Sequence, residues 1–198
     1  MMRQVEMAGI KVPENFYEKI KPRLYRRIGR KLRLARRVLD LGCGSCELVR
    51  YLAHSYHQQV TGVDISSDGF PKKRRLRDGV RIRCIRKDAA RLEFIRDESF
   101  DTVVMMWALH EMDRPESILL EARRVLRPGG EVLIVDFPRV SLAQKLWDEN
   151  YYRPEQVKTL LRQAGFESVR ARLIEQEQVI WAHGYQPATK REPNAMGK

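Results

Sequence analysis

Residues 38–47 read Val38-Leu39-Asp40-Leu41-Gly42-Cys43-Gly44-Ser45-Cys46-Glu47. An apolar run feeds an acid, Asp40, then two glycines one residue apart. Leu48, Val49 and Leu52 follow at helical spacing. A buried strand turning through glycines into a helix directs backbone N–H groups and a helix N-terminus at a ligand. Glycine lets the backbone pass close to that ligand in conformations other residues avoid.

Working outward, the next elements come in order. Val60-Thr61-Gly62-Val63-Asp64-Ile65 is a short apolar strand ending in an acid 20 residues after Gly44. In dinucleotide-type folds an acid at this spacing holds ribose hydroxyls, since a carboxylate accepts from both hydroxyls of a diol. A third strand, Val80 to Ile85, runs into Lys87-Asp88-Ala89. A fourth, Phe100 to Met106, runs into Trp107-Ala108-Leu109-His110-Glu111-Met112. A helix is predicted over 115–126, with Ile118, Leu119, Ala122, Val125 and Leu126 on its inner face. Pro128-Gly129-Gly130 is predicted to break it before a fifth strand, Glu131 to Phe137. Beyond these, a helix starting at Arg153-Pro154-Glu155 and ending at Gly165 precedes two closing strands, Ser168–Ile174 and Gln178–Gly184.

The run Val38–Glu47, then Gly62-Val63-Asp64, Asp88-Ala89, Phe100–Val104 and Leu126-Arg127-Pro128-Gly129-Gly130 resembles a class I S-adenosylmethionine-dependent methyltransferase. It is most similar to the small-molecule group that includes the ubiquinone and menaquinone biosynthesis enzymes. The resemblance covers about residues 35–185. It implies an α/β fold, Rossmann-like and doubly wound, with a seven-stranded, mostly parallel sheet and one antiparallel strand. It also implies S-adenosyl-L-methionine as cofactor. Asp40, Gly42, Cys43 and Gly44 would hold its methionine end. Asp64 would take the ribose hydroxyls, with Ile65 on the adenine. Asp88 and Ala89 would meet the adenine amino edge, and Met106 completes the expected cofactor set. Two departures stand out: Cys46 occupies a position that is often glycine in the family, and the loop lacks the third glycine of a nicotinamide-binding G-x-G-x-x-G.

At 198 residues and 43% hydrophobic content, the chain suits one α/β domain with its own core. The expected division is a basic helical segment at 1–34, serving as lid or surface, the transferase domain at 35–188, and a disordered polar tail at 189–198. The longest apolar run, Val103 to Leu109, is too short to span a bilayer, and no secretory leader is visible. A cytoplasmic location is the expectation. Three cysteines make no disulfide framework. Cys43 and Cys46 read as small residues in a glycine loop, without a second C-x-x-C to complete a zinc site, and Cys84 reads as core. No metal set is expected.

Net charge is +12, and it is concentrated. Residues 21–37 hold nine Lys/Arg and no acid; residues 72–87 hold nine and one acid, Asp78. These basic stretches are open to three readings. One is a nucleic-acid partner. Another is peripheral membrane contact through a helix with Leu24, Ile28, Leu32 and Ala35 on one side. The third is a solvated face. Few aromatics flank the basic runs, which weighs against RNA.

On the acceptor side, His110 and Glu111 are the candidate catalytic residues, since a histidine titrates near neutrality and suits a general base. The stretch after the fourth strand lacks the Asn/Asp-Pro-Pro-Tyr of DNA-adenine-type enzymes. Phe16, Tyr17, Phe137, Trp147, Tyr151 and Tyr152 are expected as aromatic pocket walls, suited to a planar or apolar acceptor. The favoured function is methyl transfer to a small molecule, anionic or aromatic. The alternatives are an RNA or protein methyltransferase using the basic patch, or a cofactor-binding partner protein without catalysis. Oligomeric state is not legible.

Overall fold

The computed structural model describes residues 4–7, 10–71 and 82–188. Positions 72–81 of the second basic stretch and the expected tail at 189–198 lie outside the described residues. A small hairpin, β1 (Gln4–Met7) and β2 (Ile10–Pro13), precedes α1 (Phe16–Lys31). Then come β3 (Arg37–Leu41), α2 (Glu47–Tyr56), β4 (Gln59–Asp64), β5 (Ile82–Arg86) and β6 (Phe100–Met106). A short 3₁₀ turn at Leu109–Glu111 leads to α3 (Pro115–Val125), β7 (Leu126–Asp136), α4 (Leu142–Trp147), α5 (Pro154–Gln163), β8 (Glu167–Ile174) and β9 (Val179–Tyr185).

Seven strands form one sheet in the order β5-β4-β3-β6-β7-β9-β8. All pairings from β5 to β7 are parallel, and β9 runs antiparallel to both β7 and β8. The single antiparallel strand matches expectation. Chain order reverses between β3 and β6, which creates a switch point at their C-terminal ends, where α/β sheets bind ligands.

Strand alternation sorts the apolar residues into two layers. Val38, Val104, Leu133 and Val135 face one side and pack with α1 and α2. Leu39, Leu41, Val103, Met105, Val132 and Ile134 face the other and pack with Leu119, Val157 and Leu161 of α3 and α5. The sheet is buried on both faces, as parallel sheets are.

Helix α1 spends its apolar stripe in this core. Ile20, Leu24, Ile28 and Leu32 are each at most 2% exposed, each contributing roughly 1.5–3 kcal/mol of burial. That stripe is therefore not available to a membrane surface, which corrects the amphipathic reading of Leu24, Ile28 and Leu32. Several of the cations on the opposite side are already paired: Arg23 with Glu175 at 2.8 Å, Lys31 with Glu131 at 2.6 Å, and Lys21 with Glu47. Among the described residues no helix is long and apolar enough to cross a membrane.

The Pro128-Gly129-Gly130 segment differs from expectation. It lies within β7, which starts at Leu126 directly after α3. Gly129 takes φ +73° and donates to the Gln186 carbonyl, while Gln186 donates to Gly130. The register jumps between Phe100 and Thr102. The turn signal thus becomes an irregularity tied into the sheet rather than a break before it.

Candidate functional site

A cleft of about 420 Å³ opens at the switch point. All nine residues expected to meet a cofactor line it. Their convergence follows from the sheet: Asp40 and Asp64 end β3 and β4, which pair in parallel with Asp40 beside Gly62. Asp88 follows β5, and Met106 ends β6.

The glycine loop is held from below. Gly42 and Cys43 both donate to the Val63 carbonyl, at 2.9 and 3.2 Å. Gly44 N–H donates to Asp64 Oδ2 at 2.7 Å, and Ser66 N–H to Oδ1 at 2.9 Å. Each Asp64 oxygen therefore accepts one backbone bond and retains a further lone pair. Gly42 has φ +71°, and a Cβ there would lie 2.4 Å from the Ala108 Cβ. At Gly44, φ is +48° and a Cβ would meet nothing within 4 Å. One glycine lets the chain pack; the other keeps the cleft wall flat.

Asp40 is 2% exposed and lines the cleft. Burial, reinforced by the Asp64 charge, pushes its carboxyl up to about 8. Asp88 is more exposed; it accepts from Ala90 N–H at 2.8 Å and pairs with Arg114 at 2.5 Å. Ile65 stands 76% exposed beside the cleft.

The cysteines correct the sequence reading. A disulfide joins Cys46, at the start of α2, to Cys84 in β5. Cys43 is free, with its sulfur 3.5 Å from that of Cys46. Burial, then Asp40 and Asp64, holds the Cys43 thiol far above its usual range, so it stays protonated. All three sulfurs gather because the loop crosses over β4 toward β5. Sequence separation alone gave no hint of that pairing.

His110 and Glu111 come together, in different roles. Glu111 lines the cleft; the His110 ring lies behind it, its side chain 3% exposed. Nδ1 of His110 lies 2.7 Å from Asp136 Oδ1, and its backbone N–H donates to Oδ2 at 3.0 Å. Nε2 points toward Glu149 at 3.2 Å and Glu111 at 3.7 Å. Burial alone would lower the His110 pKa, but the hydrogen bond and charge of Asp136, with Glu111 and Glu149, outweigh it and raise it. His110, Glu111 and Glu149 place donor atoms within 4.8 Å of one another, close enough to share a proton or hold a small cation. Two of these are exposed carboxylates, a common arrangement without any ion.

Asp136 and Glu149 escaped the sequence reading. For Asp136 a signal existed, because it ends β7 as Asp40 and Asp64 end their strands. For Glu149, in the loop after α4, there was none. The expected aromatic walls are elsewhere: Tyr17, Phe137 and Tyr151 are at most 5% exposed and pack on one another and on His110. The cleft instead takes Tyr25 and Trp107. Trp107 has φ +56°, its indole stacks on Phe137 at 5.1 Å, and its buried Nε1 has no partner among the described residues.

Comparison with known proteins agrees with this geometry. Residues 39–134 match a family model described as a methyltransferase domain. The chain is 37% identical over 102 residues to a fatty-acid O-methyltransferase of Mycolicibacterium smegmatis, covering 51% of this chain and 37% of that protein. It spans about half or less of the length of the curated relatives it matches. Among solved structures, the [4+2]-cyclase SpnF superposes with TM-score 0.74 at 20% identity, covering 87% of this chain and 84% of that one. A SAM-dependent methyltransferase from Archaeoglobus fulgidus gives 0.70 at 19% identity, covering 86% and 97%. At these identities the two structures speak to the fold alone.

Proposed function

We propose that this chain is a class I S-adenosylmethionine-dependent methyltransferase and that it transfers a methyl group from S-adenosyl-L-methionine to a small-molecule acceptor. The observation that carries the reading is the convergence of Asp40, Asp64, Asp88 and the Gly42–Gly44 loop on one cleft at the switch point.

The residues fit the cofactor chemically. Asp40 is a buried acid on the cleft wall whose carboxyl burial pushes up to about 8, so a cationic ammonium or sulfonium beside it would favour its ionised form. Asp64 keeps lone pairs for a ribose diol after binding Gly44 and Ser66. Gly44 leaves backbone open to close approach. Ile65 offers an exposed apolar face to the adenine, beside Asp88 and Ala89.

When bound, the cofactor supplies a methyl carbon on a positively charged sulfur, so transfer needs an aligned nucleophile and little else. The chain's own contribution is to orient the acceptor and exclude water. Glu111, which lines the cleft, takes the acceptor's proton and passes it to Nε2 of the buried His110 ring, whose Nδ1–H is donated to Asp136. Asp136 is a positioning residue: it fixes the tautomer and balances the imidazolium charge.

Calorimetric titration with S-adenosylmethionine tests the site, and transfer of labelled methyl to the small-molecule fraction of a cell extract tests the reaction. Binding lost in Asp64→Ala and label entering small molecules are expected. Label entering only RNA or protein would favour the alternative of a macromolecular acceptor. Tight cofactor binding with no label transferred would favour a non-catalytic partner.

A further inference from the structure

Building on the methyl-transfer reading above, we infer that the acceptor presents a basic amine, which binds as an ammonium at the Glu111 end of the cleft, next to Glu149. The charges of the cleft point this way. Its lining includes six acids, Asp40, Glu47, Asp64, Asp88, Glu111 and Asp113, against two bases, Lys21 and Arg114. Both bases are already occupied on the same wall, Lys21 by Glu47 and Arg114 by Asp88. In a chain of net charge +12, this opening is the opposite sign from its surroundings. A cleft with low-dielectric walls concentrates the field of the charges that line it.

The two ends of the cleft have separate tasks. Asp40, Asp64 and Asp88, with the glycine loop, sit where β3, β4 and β5 end. Glu111 and Asp113 follow β6, across the switch point. Behind Glu111, the imidazole of His110 is surrounded by carboxylates, with Asp136 at 2.7 Å, Glu149 at 3.2 Å and Glu111 at 3.7 Å. Glu111, although its side chain is 68% exposed, is pushed above the usual carboxylate range by the partial burial of its carboxyl and, against the pull of His110, by Glu149 and Asp136. A site where a carboxylate is already repelled by its neighbours rejects a carboxylate ligand and draws an ammonium. The inference departs from the expectation of an anionic or aromatic acceptor.

The chemistry closes. The ammonium loses one proton to Glu111, the carboxylate that lines the cleft, which passes it to Nε2 of the His110 ring behind it or to solvent. The freed nitrogen lone pair forms the N–C bond as the C–S bond breaks with its electrons onto sulfur. No oxidant or further reactant is needed.

The test uses three probes of one chain length: hexylamine, hexanoate and hexanol. Each is titrated calorimetrically into the 198-residue protein saturated with S-adenosylhomocysteine. Hexylamine is expected to bind at least about tenfold more tightly than either other probe, and the preference should shrink to within about twofold in Glu111→Gln/Glu149→Gln. Both side chains are substantially exposed, 68% and 47%, so the variant should fold; an unchanged melting temperature checks it, and Glu149→Gln alone provides a milder second variant. The net positive charge of the protein favours hexanoate by default, which makes an amine preference informative. Hexanoate binding as tightly as hexylamine, or an amine preference that survives both variants, would overturn the inference while leaving the methyltransferase reading intact. Failure of S-adenosylhomocysteine to bind at all would overturn that reading, and this inference with it.

Discussion

The ring nitrogen Nδ1 of His110 lies 2.7 Å from Oδ1 of Asp136, in a pocket where the side chains are 3% and 2% exposed. Two segments 26 residues apart in sequence meet there. The first is the 3₁₀ turn after β6, the second the C-terminal end of β7. The same carboxylate also accepts from the backbone N–H groups of His110 and Phe137, at 3.0 and 2.8 Å. Asp136 therefore fixes both the ring and the turn that carries it.

Replacing Asp136 by Asn removes the charge that keeps the His110 pKa raised and leaves burial to lower it. The acidic limb of the pH–rate profile should move to lower pH, and kcat should fall by about 10–100-fold, within the range of a positioned general base. His110→Ala should lose a similar or larger factor with cofactor affinity kept. An acidic limb that stays in place in Asp136→Asn would refute the pairing.

The same pair couples folding to pH. The folded-state pKa of His110 is raised above its ordinary 6.5. The native state therefore holds the proton more tightly than the unfolded chain. This contribution to stability is fully present below about 6.5 and is lost as pH rises through the folded value. His110→Asn should flatten that part of the curve of melting temperature against pH. A slope unchanged from the parent protein would exclude the coupling.

Asp40 couples stability to pH in the same direction as His110, which is the reverse of the usual acid. Its carboxyl is raised from 3.8 to about 8, so between those values the native state holds a proton the unfolded chain has released. Stability falls as pH rises across that window. Asp40→Asn should remove the fall and raise the melting temperature at pH 8, on the order of several degrees. It should also weaken S-adenosylmethionine binding, because a neutral amide no longer balances a cationic ligand. Stability and affinity moving in the same direction would show that Asp40 is not held for a ligand.

Asp64→Ala removes the acceptor for Gly44 and Ser66 and the proposed acceptor for the ribose. Hydrogen bonds to a charged group are each worth about 1.5–3 kcal/mol, so cofactor Kd should rise about 10–100-fold by calorimetry. An affinity within threefold of the parent would sink the ribose role.

The two loop glycines should separate fold from function. Gly42→Ala places a Cβ 2.4 Å from that of Ala108 at φ +71°, costing about 1–3 kcal/mol or more from strain and overlap. Gly44→Ala meets nothing within 4 Å, so stability should drop by about 1 kcal/mol while the new methyl lines the cleft and weakens cofactor binding. Denaturation and titration of both variants measure the contrast; equal loss of stability in the two would contradict it.

Local signals sufficed for much of this architecture. Strands with Asp40, Asp64 and Asp88 at or just past their ends, and the glycine loop, could be read from residue order because a parallel sheet leaves near-continuous apolar runs and its ligand edge is punctuated by acids and glycines. Helix α1 could be read as amphipathic, yet whether its stripe met core or membrane was undecidable from periodicity, since both solvents reward the same pattern. Pro128-Gly129-Gly130 signalled a turn correctly in composition, but pairing with Gln186 decided that the segment joins the sheet. The aromatics were visible as a group, and only packing showed that Tyr17, Phe137 and Tyr151 support His110 from within while Trp107 and Tyr25 reach the cleft.

What the amino-acid order determined by itself was the set of strands, their ligand-facing ends and the side chains placed there, because a buried strand and the turn that ends it leave a local pattern along the chain. What only the tertiary structure decided was which distant groups share a proton, a sulfur or a field: Asp136 with His110, Cys84 with Cys46, Glu149 with Glu111. Those partnerships depend on distances of a few ångströms between residues far apart in sequence. Hydrophobic periodicity carries no information about them, since the energy of a charge or hydrogen bond is set by separation in space.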